Sequence, residues 1–194
     1  FILVDMGVSF PTMESTPGVE LVMADPAWIV ARADRLEAIF ITHGHEDHVG
    51  ALGLLWPRLK APVHARRFTA ALAQAKMERA GLDTGEVRQV DPWPRTVQAG
   101  PFSVGFVPVS HSIPECSSLV IDTPAGRILH TGDFKVDATP VVGEPFDPEA
   151  FRAIGAAGVK ALICDSTNVF SLHPGRSEAT LAENIGALMR EAPG

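Results

Sequence analysis

The stretch IFITHGHEDHVGAL, residues 39–52, decides the fold. It sets three histidines and two carboxylates within six positions, His43 to His48, directly behind an apolar run. A strand ending at Thr42 delivers His43 to the edge of a sheet. Strand alternation through Gly44 then lets His43 and His45 point the same way, with no side chain at Gly44 to crowd them. Asp47 and His48 fall in the first turn of a following helix. Four candidate ligands converge with no long loop to order. Imidazole nitrogen together with carboxylate oxygen suits Zn²⁺, and Mn²⁺ fits the same mixture. A solvated surface gives no reason for such crowding.

Outward from this stretch, short apolar runs alternate with helical patterns. Strands are expected at 1–5, 38–42, 61–65, 102–109, 118–122, 127–131 and 159–165, each rich in Val, Ile or Phe. TPAG, residues 123–126, reads as a hairpin turn. Helices are expected at 47–56, 66–80, 148–157 and 178–191, the second closed by Gly81. The last offers either a capping box, Thr180 with Glu183, or Ser177 as its N-cap. The Pro- and Gly-rich stretches 8–19 and 138–148 read as loops. Strands mixed with flanking helices indicate a layered α/β protein, and the hairpins argue against a purely parallel, doubly wound sheet.

Two more residues stand at strand ends: His111 after the strand at 102–109, and Asp133 after the strand at 127–131. All three sites can thus gather at one edge. Lys135 reads as a solvated lysine, and His64 and His130 as core or edge histidines of apolar strands. His173 lies in a loop with no assignable partner. Arg66, Arg67, Lys76 and Arg79 read as a solvated basic face of the second helix. There is no GxSxG elbow and no P-loop, and the adjacency of Cys164, Asp165 and Ser166 is not triad geometry.

The whole chain sets bounds. Its 194 residues fit one domain or a large part of one. A net charge of −7 argues against a generally basic nucleic-acid-binding surface while leaving room for a local cationic site. Cys116 and Cys164 lie far apart in apolar or strand-edge segments, which predicts reduced, buried thiols and suits the cytosol. No apolar run approaches the ~20 residues that span a bilayer, so no membrane partner is expected. A start at Phe1 within a sheet-like run, and an end just after a helical one, read as cuts within a larger protein.

The HxHxDH of His43, His45, Asp47 and His48 resembles the metal-binding signature of the metallo-β-lactamase fold. His111 and Asp133 stand where that superfamily's next two ligands fall. More narrowly, GVSFP (7–11), ITHGHEDHVGAL (41–52), HSIPE (111–115), HTGDFK (130–135), DSTN (165–168) and PGRSE (174–178) resemble the ribonuclease J family, the bacterial member of the β-CASP branch. The resemblance implies an αββα sandwich holding two divalent ions, most simply Zn²⁺. Residues 1–194 would be the N-terminal portion of that domain and so incomplete, with the β-CASP domain and a returning C-terminal segment beyond 194.

By the family pattern, His43, His45 and His111 would hold one ion and Asp47 and His48 the other, with Asp133 between them. Asp5 matches the superfamily's early aspartate and would orient a ligand from behind, a loop cap being the equal alternative. Asp47 is the residue expected closest to general-base duty. The resemblance further implies hydrolysis of RNA phosphodiesters, 5′→3′ and also internally, in RNA processing and decay in the cytoplasm. RNA would be the partner, and the full-length protein a homo-oligomer. The family's glycine-rich opening is missing, as is the return segment that supplies the second ion's last histidine, so the piece alone is expected to be inactive. Two other readings remain open: a hydrolase of a small ester, thioester or lactam on the same fold, and a non-catalytic RNA-binding or scaffold module.

Overall fold

The computed structural model describes residues 1–14, 16–173 and 175–192; Pro174, which opens the PGRSE stretch, lies outside them. Strands β1 (Ile2–Val4), β2 (Ala38–Ile41), β3 (Val63–Ala65) and β4 (Val87–Gln89) form a parallel sheet in that order. A second sheet begins as an antiparallel meander of β5 (Thr96–Ala99), β6 (Phe102–Pro108), β7 (Ser117–Thr123) and β8 (Gly126–His130). Strand β9 (Ala161–Ile163) then joins β8 in parallel. The expected hairpin is present, with Thr123 paired to Gly126.

Side-chain alternation builds the layers. Along β2, Ile39 and Ile41 enter a cluster with Val63, Leu52 and Met77. Ala38 and Phe40 point the other way, to Val104, Phe106, Leu119 and Ile121 of the second sheet. On that sheet's far face, Val107 and Val120 meet Ile154 of α5 (Pro148–Ala156). Helices α1 (Ala27–Val30), α3 (Leu52–Leu59) and α4 (Arg67–Arg79) cover the parallel sheet. The order is therefore helix, sheet, sheet, helix. Phe40 and Phe106 are 0% and 1% exposed between the sheets, and such burial stabilises by about 1.5–3 kcal/mol per side chain.

The structure departs from the sequence expectations at several points. Strands β4 and β5 carry polar residues and no apolar run, so their strand state comes from pairing with β3 and β6. The helix expected at 47–56 is split into α2 (Glu46–Val49) and α3. The chain just past β1 runs beside it: Met6 N–H donates to His48 O at 2.6 Å, and Ala51 N–H donates to Met6 O at 2.8 Å. Only glycine fits at position 7 of that run, since a Cβ there would lie 1.6 Å from Asp47 O. Helix α3 continues through Pro57 to Leu59 and stops at left-handed Lys60 (φ 51).

Near the C-terminus, Ser177 caps a 3-10 turn by accepting from Ala179 N–H at 3.3 Å. Thr180, which precedes α6 (Leu181–Glu191), makes no side-chain cap bond, so Ser177 rather than the Thr180 box fills the capping role. Cys116 is buried as expected, but Cys164 is exposed. It follows β9, whose three residues are all uncovered. Among the described residues, no helix is long and apolar enough to cross a membrane.

Candidate metal centre

Parallel strands β1 and β2 end side by side, and this juxtaposition builds the site. Asp5 follows β1 in a left-handed conformation (φ 61), which costs an L-residue roughly 1–2 kcal/mol. Its carboxylate offsets that strain with well-placed contacts. Oδ1 accepts from Thr42 N–H at 2.7 Å, while Oδ2 accepts from Thr42 Oγ1 at 2.9 Å and lies 2.8 Å from His48 Nδ1.

Past β2, Thr42 and His43 are 1% and 0% exposed. His43 Nε2 lies 3.0 Å from His45 Nδ1, which lies 3.2 Å from His111 Nε2. His48 Nε2 stands 3.3 Å from Asp133 Oδ1, and His111 Nε2 stands 3.8 Å from Asp133 Oδ2. Two overlapping triads result: His43, His45 and His111, and His43, His48 and Asp133. Within each triad the possible ligand atoms all lie within 4.8 Å of one another. His43 belongs to both. Asp47 belongs to neither; its Oδ2 is 3.7 Å from His48 Nε2 and its side chain is 66% exposed.

The donor set suits a cation. A neutral imidazole has one N–H and one lone pair, so three converging ring nitrogens cannot satisfy one another fully. Three imidazoles with a carboxylate beside them match the chemistry of Zn²⁺, and Mn²⁺ is compatible. Burial, reinforced by His48, His111 and His45, holds the His43 pKa down to about 2, so its ring is in the neutral form that ligates. Burial likewise lowers His111. At His48 burial also pulls down, but the hydrogen bond and charge of Asp5, followed by Asp133 and Asp47, raise its pKa overall.

Residues that the sequence reading set aside also reach this edge. His130 is half-buried; its Nδ1 accepts from Gly132 N–H at 3.0 Å. Burial lowers its pKa against the opposing charges of Asp5 and Asp133. Asp165 donates its N–H to Thr131 Oγ1 at 2.9 Å, and its charge reaches His111. His130 ends β8, the strand that leads to Asp133, and Asp165 follows β9, the strand beside it; standing at such strand ends is the signal that could have found them.

Two residues of the supposed solvated basic face are otherwise engaged. The Arg66 side chain is 7% exposed and bonds Glu144 Oε1 at 2.6 Å, while Lys76 Nζ reaches Glu46 Oε1 at 2.6 Å. Arg67 and Arg79 are exposed, as is His173. Lys135 is only partly exposed, with Nζ 3.6 Å from the buried Asp137 carboxylate.

Comparison with known proteins bears on this geometry. Residues 2–180 match the family model described as the metallo-β-lactamase superfamily. The chain is 44% identical to ribonuclease J of Sinorhizobium meliloti across 100% of its own length and 34% of that protein. It is 42% identical to ribonuclease J of Corynebacterium glutamicum, covering 98% of this chain and 26% of the relative. With ribonuclease J of Thermus thermophilus the identity is 35%, over 100% of this chain and 35% of the relative. The chain thus spans about a third or less of these relatives' lengths.

A crystal structure of a protein of unknown function from Enterococcus faecalis V583 aligns with a TM-score of 0.59 at 18% identity. It covers 99% of this chain and 52% of that one, a likeness of fold alone. Architecture and sequence match lead to one conclusion: this chain belongs to the metallo-β-lactamase superfamily.

Proposed function

We propose that the chain is the metal-binding part of a ribonuclease that hydrolyses RNA phosphodiesters, 5′→3′ and also internally, in RNA processing and decay. The observation that carries this reading is the 44% identity to a ribonuclease J over the whole chain, the candidate centre included. His43, His45 and His111 would hold one divalent ion. His48 and Asp133, with Asp47, would hold a second, against which His43 also stands. Zn²⁺ suits the imidazole side, and Mn²⁺ is compatible with the more acidic side. When bound, such ions lower the pKa of water toward neutrality and offset the charge on a phosphodiester.

The chain's own residues do the rest. Asp5 holds His48 Nδ1 at 2.8 Å, which fixes the tautomer and turns Nε2 toward Asp133. Asp47 stands free of both triads beside His48 and keeps solvent contact. In this reading Asp47 both helps to hold the second ion and takes a proton from attacking water. We read residues 1–194 as the N-terminal portion of the metallo-β-lactamase domain of a longer protein, with the β-CASP domain and the return segment beyond residue 194. Their share of the relatives' length fits this reading. The isolated chain is then inactive, RNA is its partner, and the full-length protein is a cytoplasmic homo-oligomer.

The test uses the full-length protein on a 5′-monophosphorylated RNA beside its Asp47→Ala variant. The parent should release mononucleotides from the 5′ end, and the variant should not. A parent that leaves RNA intact while hydrolysing a thioester or lactam would overturn the ribonuclease reading and keep the fold.

A further inference from the structure

Helix α4 supplies none of the candidate ligands, yet it or its N-cap residue is tied to each segment that does. Its Leu72 and the loop residue Ile113 close over Gly44, between His43 and His45. A Cβ at Gly44 would lie 2.5 Å from Leu72 Cδ1 and 3.3 Å from Ile113 Cδ1. Lys76 holds the Glu46 carboxylate at 2.6 and 2.7 Å, and Glu46 stands between His45 and Asp47. At the helix's other end, Phe68 N–H donates to Glu115 Oε2 at 2.5 Å, four residues along from His111. Arg66, the N-cap residue, bonds Glu144 at 2.6 Å, on the segment that follows Asp133.

The two loops at that end are also tied to each other. Lys135 N–H donates to Ser110 O at 2.8 Å, and Cys116 Sγ to Asp133 O at 3.3 Å. Gly143, beside Glu144, backs onto the His111 loop, where a Cβ would lie 3.6 Å from Ile113 O. A shift at Glu115 or Glu144 is therefore felt at both His111 and Asp133.

Neither anchor is a cheap arrangement. Arg66 offers no side-chain acceptor to cap α4, and a glutamate from a distant loop does so instead, where the helix dipole favours negative charge. Glu115 achieves this from a left-handed backbone (φ 58) that its β-carbon disfavours. Arg66 buries its guanidinium with Nη1 lacking a hydrogen-bond partner among the described residues. A buried charge with an incomplete set of partners is costly. A surface helix needs none of this.

We propose that Arg66 and Glu115 are positioning residues: they tie α4 to the loops bearing His111 and Asp133, and so fix the His111 nitrogen against those of His43 and His45. This rests on the metal-centre reading above. The test is made on the full-length protein, with Zn²⁺ affinity measured by chelator competition and Co²⁺ absorption as a probe of geometry. Melting temperature reports the fold. Glu115→Asn keeps a residue that tolerates the left-handed region but is too short to reach Phe68. Arg66→Met keeps the apolar stem and removes the fork.

Both variants should fold, bind Zn²⁺ about 10–100-fold more weakly and shift the Co²⁺ band, the range seen when an outer support of a ligand is lost. Glu115→Gln, which keeps the reach and an acceptor, should recover most of the affinity. Folded variants with the parent's affinity and spectrum overturn the proposal. If Arg66→Met does not fold, Glu144→Ala at the more exposed partner, which removes the acceptor, decides, and unchanged affinity there counts equally against it. A parent that binds neither metal overturns the metal reading itself, which separates that failure from this one.

Discussion

The two sides of the candidate centre are built differently. On one side, His43, His45 and His111 converge around a fully buried ring. On the other, His48 meets two carboxylates that keep solvent contact, with Asp133 33% and Asp47 66% exposed. Desolvation explains the division. A neutral imidazole is cheap to bury, whereas an ionised carboxylate is costly to bury unpaired and stays where water reaches it. Supports follow the same split. The imidazole side is backed by α4 through Leu72 and the Glu115 cap. On the acidic side Asp5 holds the His48 ring at Nδ1, while Asp133 is held through its backbone by Cys116 Sγ and its carboxylate is left part-exposed. The imidazole side is accordingly the better preformed and should hold its ion more tightly.

The largest test of this contrast is His43→Ala, because His43 belongs to both triads. With ion contributions of several kcal/mol at stake, RNA cleavage should fall roughly 10⁴-fold or more. Elemental analysis should find both ions depleted, and one ion retained at full occupancy would show that the triads do not share this ring. Asp47→Ala should separate the two sides. Single-turnover cleavage should drop on the order of 10²–10³-fold, as for loss of a general base, with the ion on the imidazole side unchanged. Loss of both ions would place Asp47 in a structural role instead.

Asp5→Asn is smaller. It should weaken the more loosely held ion about 10–100-fold by titration and leave the tighter one intact. Equal weakening of both would erase the distinction between the sides.

The smallest effect lies away from the centre, at Asp137. Burial would raise its pKa, but N–H donation from Glu178 and Thr139, with Ser177 and Lys135 nearby, brings it to about 2. A carboxylate depressed in the folded state contributes stability above its unfolded pKa near 4, and that contribution is lost as pH falls toward 2. Asp137→Asn should therefore be less stable than the parent at pH 7, with the gap closing between about pH 4 and 2 in acid-unfolding curves. A constant gap across that window would show that the carboxylate's charge is not the cause.

What was legible in the sequence was local. His43, His45, Asp47 and His48 share one strand end and one helix start, so a spacing of two and a turn's length bring them together. His111 and Asp133 were legible as residues at the ends of apolar runs, the seven strands as those runs themselves, and the hairpin as the TPAG turn. The rest depended on partners far along the chain. Met6 splits a helix by taking Ala51's N–H, 45 positions away, and β3 and β6 turn the polar segments β4 and β5 into strands. Arg66 is buried because Glu144, 78 residues on, meets its guanidinium, and Cys164 is exposed because, among the described residues, no element covers β9. Side-chain periodicity records which face of its own element a residue takes. Only packing decides what stands opposite, and so whether a charge is paired, a thiol covered or an imidazole shared between two sites.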